Sequence, residues 1–296
     1  MKLVAITGGL GNQMFIYAFM VRLSQMHKSC LFHPYKDSSK KYGQEGFQLE
    51  EVFTLRPVDH KKDIGLLLFG LYWHVTRIFP KGMRSAMLAL VGMKVVNVAE
   101  NFVFYPEVLQ PERGGELFVG TWQSERYFQG AEQEVRKAFT FKEWLLNEKT
   151  RQLVKEIEKC ESVSLHVRRG DYLSLKYTRG FGGICTQAYY SAAIKSMKDR
   201  IAQPRFFVFS DDLDWCKANL NIPDVFFVDW NRGAESWQDM YLMSKCKHNI
   251  IANSSFSWWG AWLNANPEKI VVAPKQWWNG IKDDVVPETW IRISGS

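Results

Sequence analysis

The segment SLHVRRGDYL, residues 164–173, sets two arginines side by side, with a histidine two positions before the first and an aspartate two positions after the second. An apolar run enters the cluster, and glycine and aspartate leave it. The spacing therefore predicts a strand that delivers its last side chains to the rim of a sheet, where open α/β folds bind ligands. Adjacent residues on a strand point to opposite faces. Arg168 and Arg169 can thus meet one ligand only where the strand stops and the chain turns. A guanidinium binds phosphate in bidentate fashion, which makes Arg168 the candidate clamp and leaves Arg169 to pair with Asp171 and hold the loop. A solvated cluster of surface ion pairs is the alternative.

Four further segments carry candidate chemistry. FFVFSDDLDW, residues 206–215, ends an apolar run with Asp211 and continues into Asp212-Leu-Asp214. The acid-x-acid triple suits a divalent cation held against a diphosphate. Alternatively, Asp211 reads guanine, whose N1–H and 2-amino group are neighbouring donors that one carboxylate accepts together. With two arginines available to neutralise a diphosphate, a metal is redundant, which favours base reading and no metal site. In CKHNIIANSSFSWWGAWLN, residues 246–264, Ser254, Ser255 and Ser257 fall where a helix begins, as caps or as hydroxyls offered with backbone N–H groups to an anion. Trp258, Trp259 and Trp262 have helical spacing and read as core.

GGLGNQ, residues 8–13, departs from the dinucleotide fingerprint because Met14 stands where a small residue belongs, and no lysine follows as a P-loop requires. What remains is a bare glycine turn (Gly9, Gly11) that lets a ligand approach, with Asn12 and Gln13 offering amides at a helix start. GTWQSERYF, residues 120–128, groups Trp122, Gln123 and Glu125, an aromatic face with an amide and a carboxylate that suits a sugar ring or, equally, a structural turn.

These groups need elements to position them. In a chain of 296 residues, two domains are the default. KLVAIT followed by the glycine turn and MFIYAFMVRLSQMHK reads as strand, loop, helix. Residues 132–160 read as a charged helical connector. Beyond it SVSLHV, RFFVFS, VFFV, HNIIA and KIVVA alternate with helices, the pattern of a parallel sheet. The expected division is 1–158 and 159–296.

Net charge is +7, and residues 61–99 hold six Lys/Arg (Lys61, Lys62, Arg77, Lys81, Arg84, Lys94) against Asp63, which is +5 of it. The apolar stretches of that window, IGLLLFGLYWHVTRIF and MRSAMLALVGMKVV, read as helices. Core helices are the simpler account. A peripheral contact with the inner membrane surface, with Leu66, Leu67, Phe69, Leu71 and Trp73 beneath the cations, is the alternative. No apolar run is long enough to span a bilayer, and the first residues resemble neither a signal peptide nor an anchor. Five scattered cysteines with no CxxC pair argue for a reducing compartment and against a structural zinc. No RNA-binding signature accompanies the charge, so nucleic acid is not an expected partner.

Taken together, GGLGNQMF, GTWQSERYF, HVRRGDY, FSDD and NSSFSWWGAWLN, in that order, resemble the inverting α-1,2-fucosyltransferases of glycosyltransferase family 11. The resemblance covers most of the chain, except residues 61–99. It implies an α/β GT-B-like fold with two facing Rossmann-like domains, GDP-L-fucose as donor substrate, no metal or other cofactor, and fucose added to the 2-hydroxyl of a galactose-terminated oligosaccharide. By position it places Arg168 on the diphosphate, His166 and Asp211 on guanine, Ser254, Ser255 and Ser257 on phosphate, and Asn12 in the loop that faces the donor. Asp171 is expected to orient the arginines, because neighbouring positive charge makes it a poor base; Glu125 is the alternative base. The lack of an animal-type anchor points to a bacterial cytoplasmic enzyme. A metal-dependent GT-A enzyme using Asp212 and Asp214, or a carbohydrate-binding protein without catalysis, are the rival readings.

Overall fold

The computed structural model describes residues 2–27, 29–32, 47–55, 70, 78–98, 100–110 and 113–295. The chain forms two compact units, Met1–Phe141 and Lys142–Ser296. The first contains β1 (Lys2–Ala5), α1 (Leu10–Ser24), β2 (Ser29–Phe32), α2 (Leu49–Val52), α3 (Lys81–Leu90), β3 (Met93–Asn97), β4 (Gly115–Val119) and α4 (Glu132–Ala138). Its four strands are all parallel, in the order β2-β1-β4-β3. β1 is buried along its whole length, as a strand covered on both faces must be. The helix expected after the glycine turn begins earlier, at Leu10, so Gly11, Asn12 and Gln13 lie in its first turn.

The stretch MRSAMLALVGMKVV, expected as a helix, is helix and then strand. α3 stops, Gly92 takes φ +72°, and MKVVN runs on as β3. A left-handed residue just past a helix end is the usual place for glycine, because a Cβ is penalised there. Arg84 on α3 is half-buried rather than an exposed cation, while Met83, Leu90 and Val91 are exposed. Lys61, Lys62, Arg77, the side chain of Lys81 and Leu66, Leu67, Phe69, Leu71 and Trp73 lie outside the described residues. No described helix is long and apolar enough to cross a membrane.

The second unit contains α5 (Glu148–Ile157), β5 (Ser162–Val167), α6 (Leu175–Phe181), α7 (Gln187–Lys198), β6 (Arg205–Ser210), α8 (Leu213–Asn219), β7 (Phe226–Val228), α9 (Trp237–Lys245), β8 (His248–Ile250), α10 (Ser255–Leu263), β9 (Val271–Pro274) and β10 (Ile291–Ile293). Its sheet is parallel throughout, in the order β10-β9-β8-β5-β6-β7. That is the strand order of a Rossmann sheet, with the order reversing between β5 and β8. All five expected strands are present. β10 is an addition that three residues, Ile-Arg-Ile, were too short to announce.

The expected connector is two helices. α4 ends at Ala138, Phe141 bridges to Phe53, and α5 starts after Asn147, whose side chain accepts from Thr150 N. The division between the units falls in that break, before the expected 158/159 boundary. α5 sits with the second unit because Leu153 and Ile157 pack with Phe207, Phe209, Val228, Leu242 and Met243 on one face of the sheet. Val163, Leu165 and Val167 pack on the other face with Tyr189, Tyr190 and Met197 of α7. Each such side chain removed from water is worth about 1.5–3 kcal/mol. Trp258 and Trp259 are fully buried, and the Trp258 indole N–H donates to the Val285 carbonyl at 2.8 Å.

Candidate functional site

In open α/β sheets, ligands bind beyond the carboxyl ends of the strands where the order reverses. In the second unit that crevice lies between β5 and β8. The chain leaving β5 is Arg168-Arg169-Gly170, the chain leaving β8 leads to Asn253 and Ser254, and β6, beside β5, ends at Asp211 and Asp212.

The two arginines divide their work. Arg169 Nε lies 3.0 Å from Asp212 Oδ2, and its guanidinium sits 4.2 Å from the centre of the Trp215 ring. Asp212 Oδ1 accepts from Trp215 N at 3.1 Å, capping α8. Asp212 is thus committed to Arg169 and a helix N-terminus, which also draws its pKa below the ordinary carboxylate value. The side chain of Asp171 lies outside the described residues, so Asp212 is the observed partner of Arg169.

Asp211 is engaged with the same turn. Its Oδ1 accepts from Arg169 N at 2.9 Å, its Oδ2 accepts from Gly170 N at 3.1 Å, and Arg168 Nη1 lies 3.1 Å from the same Oδ2. Both oxygens serve the turn after β5. Tyr172 ties this turn to the β8 side. Its hydroxyl donates to the Asn253 carbonyl at 2.9 Å, and its ring stacks on Phe181 with centroids 4.7 Å apart.

His166 is buried near the carboxyl end of β5, on the α9–α10 face, with its ring centroid 5.9 Å from that of Phe256. Nδ1 is buried without a hydrogen-bond partner among the described residues. Burial, then the charge of Arg168, holds its pKa down to about 3. The imidazole is therefore neutral at physiological pH and keeps one donor and one acceptor nitrogen. The unfolded chain takes up this proton near its ordinary value of 6.5 and the folded chain does not. Stability should therefore fall as pH drops from about 6.5 towards 3, by up to about 5 kcal/mol. We expect His166→Asn to flatten that acid limb in a pH series of chemical denaturations. An unchanged slope would show that His166 is not the group titrating.

At the start of α10, Ser254 is the N-cap residue with no side-chain cap bond, and Ser255 is half-buried. Ser254 and Ser255 therefore stand at the mouth with the first-turn N–H groups, a setting that favours an anion. Ser257 does not join them. It is fully buried and its hydroxyl donates to the Ser254 carbonyl at 3.4 Å.

Asp239 was missed from the sequence. It lies in the first turn of α9, one turn before Leu242, which packs on the sheet face that His166 also occupies. Asn231 Nδ2 donates to its Oδ1 at 2.8 Å, and Oδ2 has no hydrogen bond among the described residues. Burial pushes its pKa up to about 7, partly offset by Asn231 and by the charge of Arg232. A half-buried carboxylate with one open oxygen is a binding group in waiting. Its sequence signal, a single acid in SWQDMYLMSKC, is that of an ordinary helix first turn.

The first unit gathers a second cluster at the carboxyl ends of β1 and β4. Gly8 has φ +83°, and a Cβ there would lie 2.9 Å from Asn12 Nδ2. The Gly9 carbonyl accepts from Asn12 N and Gln13 N, and Gly11 is buried within the first turn of α1. Gln123 Nε2 donates to Asn12 Oδ1 at 2.8 Å, which joins two motifs 111 residues apart. Gln13 is not available to a ligand as expected: its Nε2 donates to the Gly8 carbonyl and its Oε1 accepts from Gln48 N. Trp122 is core rather than a sugar platform, wholly buried and stacked on Phe19 with centroids 4.5 Å apart. Glu125 is half-buried at the start of a short 3-10 turn.

The sequence profile of Glycosyl transferase family 11 matches residues 117–293. The chain is 34% identical over 296 residues to an alpha-1,2-colitosyltransferase of Escherichia coli, covering 97% of each. It is 28% identical over 189 residues to galactoside alpha-(1,2)-fucosyltransferase 1 of Saimiri boliviensis boliviensis, covering 54% of this chain and 51% of that one. Among solved structures, the alpha-1,6-fucosyltransferase NodZ soaked with GDP-fucose superposes with a TM-score of 0.51 at 16% identity, covering 88% of this chain and 92% of that one. At that identity the likeness concerns the fold, which is α/β of the GT-B type.

Proposed function

The chain belongs to glycosyl transferase family 11, and from that membership we propose that it transfers L-fucose from GDP-L-fucose to the 2-hydroxyl of a terminal galactose, inverting the anomeric centre. The observation that carries this reading is Arg168 at the reversal of a Rossmann-ordered sheet, two residues after a neutral buried histidine. The diphosphate lies with Arg168 and the α10 N-terminus at Ser254 and Ser255. As the sugar–phosphate bond breaks, negative charge grows on the diphosphate, and a fixed guanidinium stabilises it more in the transition state than before. Guanine lies against His166 and offers its two-donor edge to Asp239, which has an oxygen open to it. The acceptor hydroxyl attacks from the face opposite the leaving group.

A metal is not required in this reading. The support is that Asp212 is already occupied by Arg169 and the α8 cap, while arginines supply the positive charge. A second donor is favoured by one relative, whose name specifies colitose. Colitose is fucose without its 3-hydroxyl, so the same nucleotide contacts serve both. The test is release of GDP from GDP-fucose, GDP-colitose and GDP-mannose, with and without a galactoside, each with and without a chelator. Galactoside-dependent release from GDP-fucose, unchanged by the chelator, is expected. Release only from GDP-colitose would change the donor, and a collapse with chelator would restore the metal reading.

A further inference from the structure

We propose that Asp211 is a positioning residue for the transfer: by clasping the turn Arg168–Gly170 it sets where the Arg168 guanidinium meets the diphosphate. The proposal rests on the reading that this crevice binds a nucleoside diphosphate.

β5 and β6 are parallel and pair Val167 with Ser210, so the next residue on each strand, Arg168 and Asp211, leaves the sheet side by side. One carboxylate then receives two successive backbone N–H groups, at 2.9 and 3.1 Å, and the guanidinium at 3.1 Å. Successive amides converging on one anion form a nest. The fit is close enough to dictate the residue at 170: a Cβ there would lie 2.8 Å from Asp211 Oδ2 and 3.3 Å from its Cγ. Glycine is needed for that approach and not for a left-handed backbone. Arg169 is fixed separately by Asp212 and Trp215. Arg168 is thus the one of the pair held by a partner that a phosphate oxygen can replace. Its backbone stays where Asp211 puts the turn while its side chain exchanges one anion for another. A small displacement of such a group costs rate, because charge must be stabilised at one place.

Calorimetric affinities for GDP and for guanosine separate this role from base reading. Asp211→Asn offers one acceptor oxygen to two N–H groups, and Gly170→Ala opens the clasp without touching a charge. Each is expected to weaken GDP about tenfold, to leave guanosine within about twofold, and to lower kcat as well as raise the donor KM. In an Arg168→Ala background, adding Asp211→Asn should cost less than about twofold more, because Asp211 acts through Arg168. Equal loss for guanosine would return Asp211 to the base, and a full tenfold loss in the Arg168→Ala background would show that it acts on the ligand directly; either overturns the proposal. If Asp211→Asn does not fold, Gly170→Ala decides alone. A wild-type protein that binds no GDP would sink the nucleotide reading instead. The clasp itself is then read from amide exchange of Arg169 and Gly170, which should quicken in Gly170→Ala; unchanged protection there would overturn it.

Discussion

Arg168→Ala is expected to lower the rate of transfer about 10²- to 10⁴-fold while the protein stays folded. The guanidinium stands beyond the end of β5, 3.1 Å from Asp211, with about a third of its side chain still exposed, so its removal empties no part of the core. What is lost is a charge-assisted, bidentate contact that strengthens as the diphosphate leaves. The loss should therefore appear in kcat as well as in the donor KM. Arg168→Lys keeps the charge but not the planar fork, and should recover only part of the rate. Activity of the alanine variant within tenfold of wild type would remove Arg168 from the reaction.

Asp239→Asn is expected to weaken GDP about 10- to 100-fold and, at the same time, to stabilise the unliganded protein near pH 8. The first effect follows because an amide turns one acceptor into a donor and cannot accept both N1–H and the 2-amino group, at about 1.5–3 kcal/mol per contact to a charged group. The second follows from the raised pKa. Unfolded, this carboxyl ionises near 3.8, and folded it ionises near 7, so its contribution to stability is lost as pH rises from about 4 to 7. Asparagine removes that cost. Guanine's donors favour the carboxylate, so binding must expel a proton below pH 7. GDP affinity should then fall with acidity in the wild type and stay flat in Asp239→Asn. A purely structural Asp239 would lower stability on substitution and leave the pH dependence of GDP binding untouched; titrations at pH 6 and 8, with melting curves, distinguish the two.

Much of this site was legible before any fold was known. HVRRGDY placed a guanidinium at a strand end because an apolar run followed by glycine has few other uses, and NSSFSWWGAWL marked a helix start by its serines and a buried face by its tryptophans. Misplaced roles fell on residues whose type fits two environments. Trp122 reads equally as a sugar platform or as core, and only its stacking on Phe19 decides. Gln13 reads as a ligand amide until both its ends are found engaged.

The sequence by itself determined the five strands β5 to β9 of the second unit, because strands buried on both faces in a parallel sheet must be continuous apolar runs. It also determined that arginine chemistry stands at the end of one of them. Tertiary structure alone decided the partners. Asp211 reaches the turn after β5 across 42 residues, and Gln123 reaches Asn12 across 111. Those distances close only because parallel strands bring successive carboxyl ends to one edge of a sheet, and the register fixing who meets whom resides in the pairing of strands, not in the residues that gain by it. Asp239 is the extreme case: an ordinary acid in a helix first turn, made a candidate for binding by the burial of its carboxylate beside Asn231.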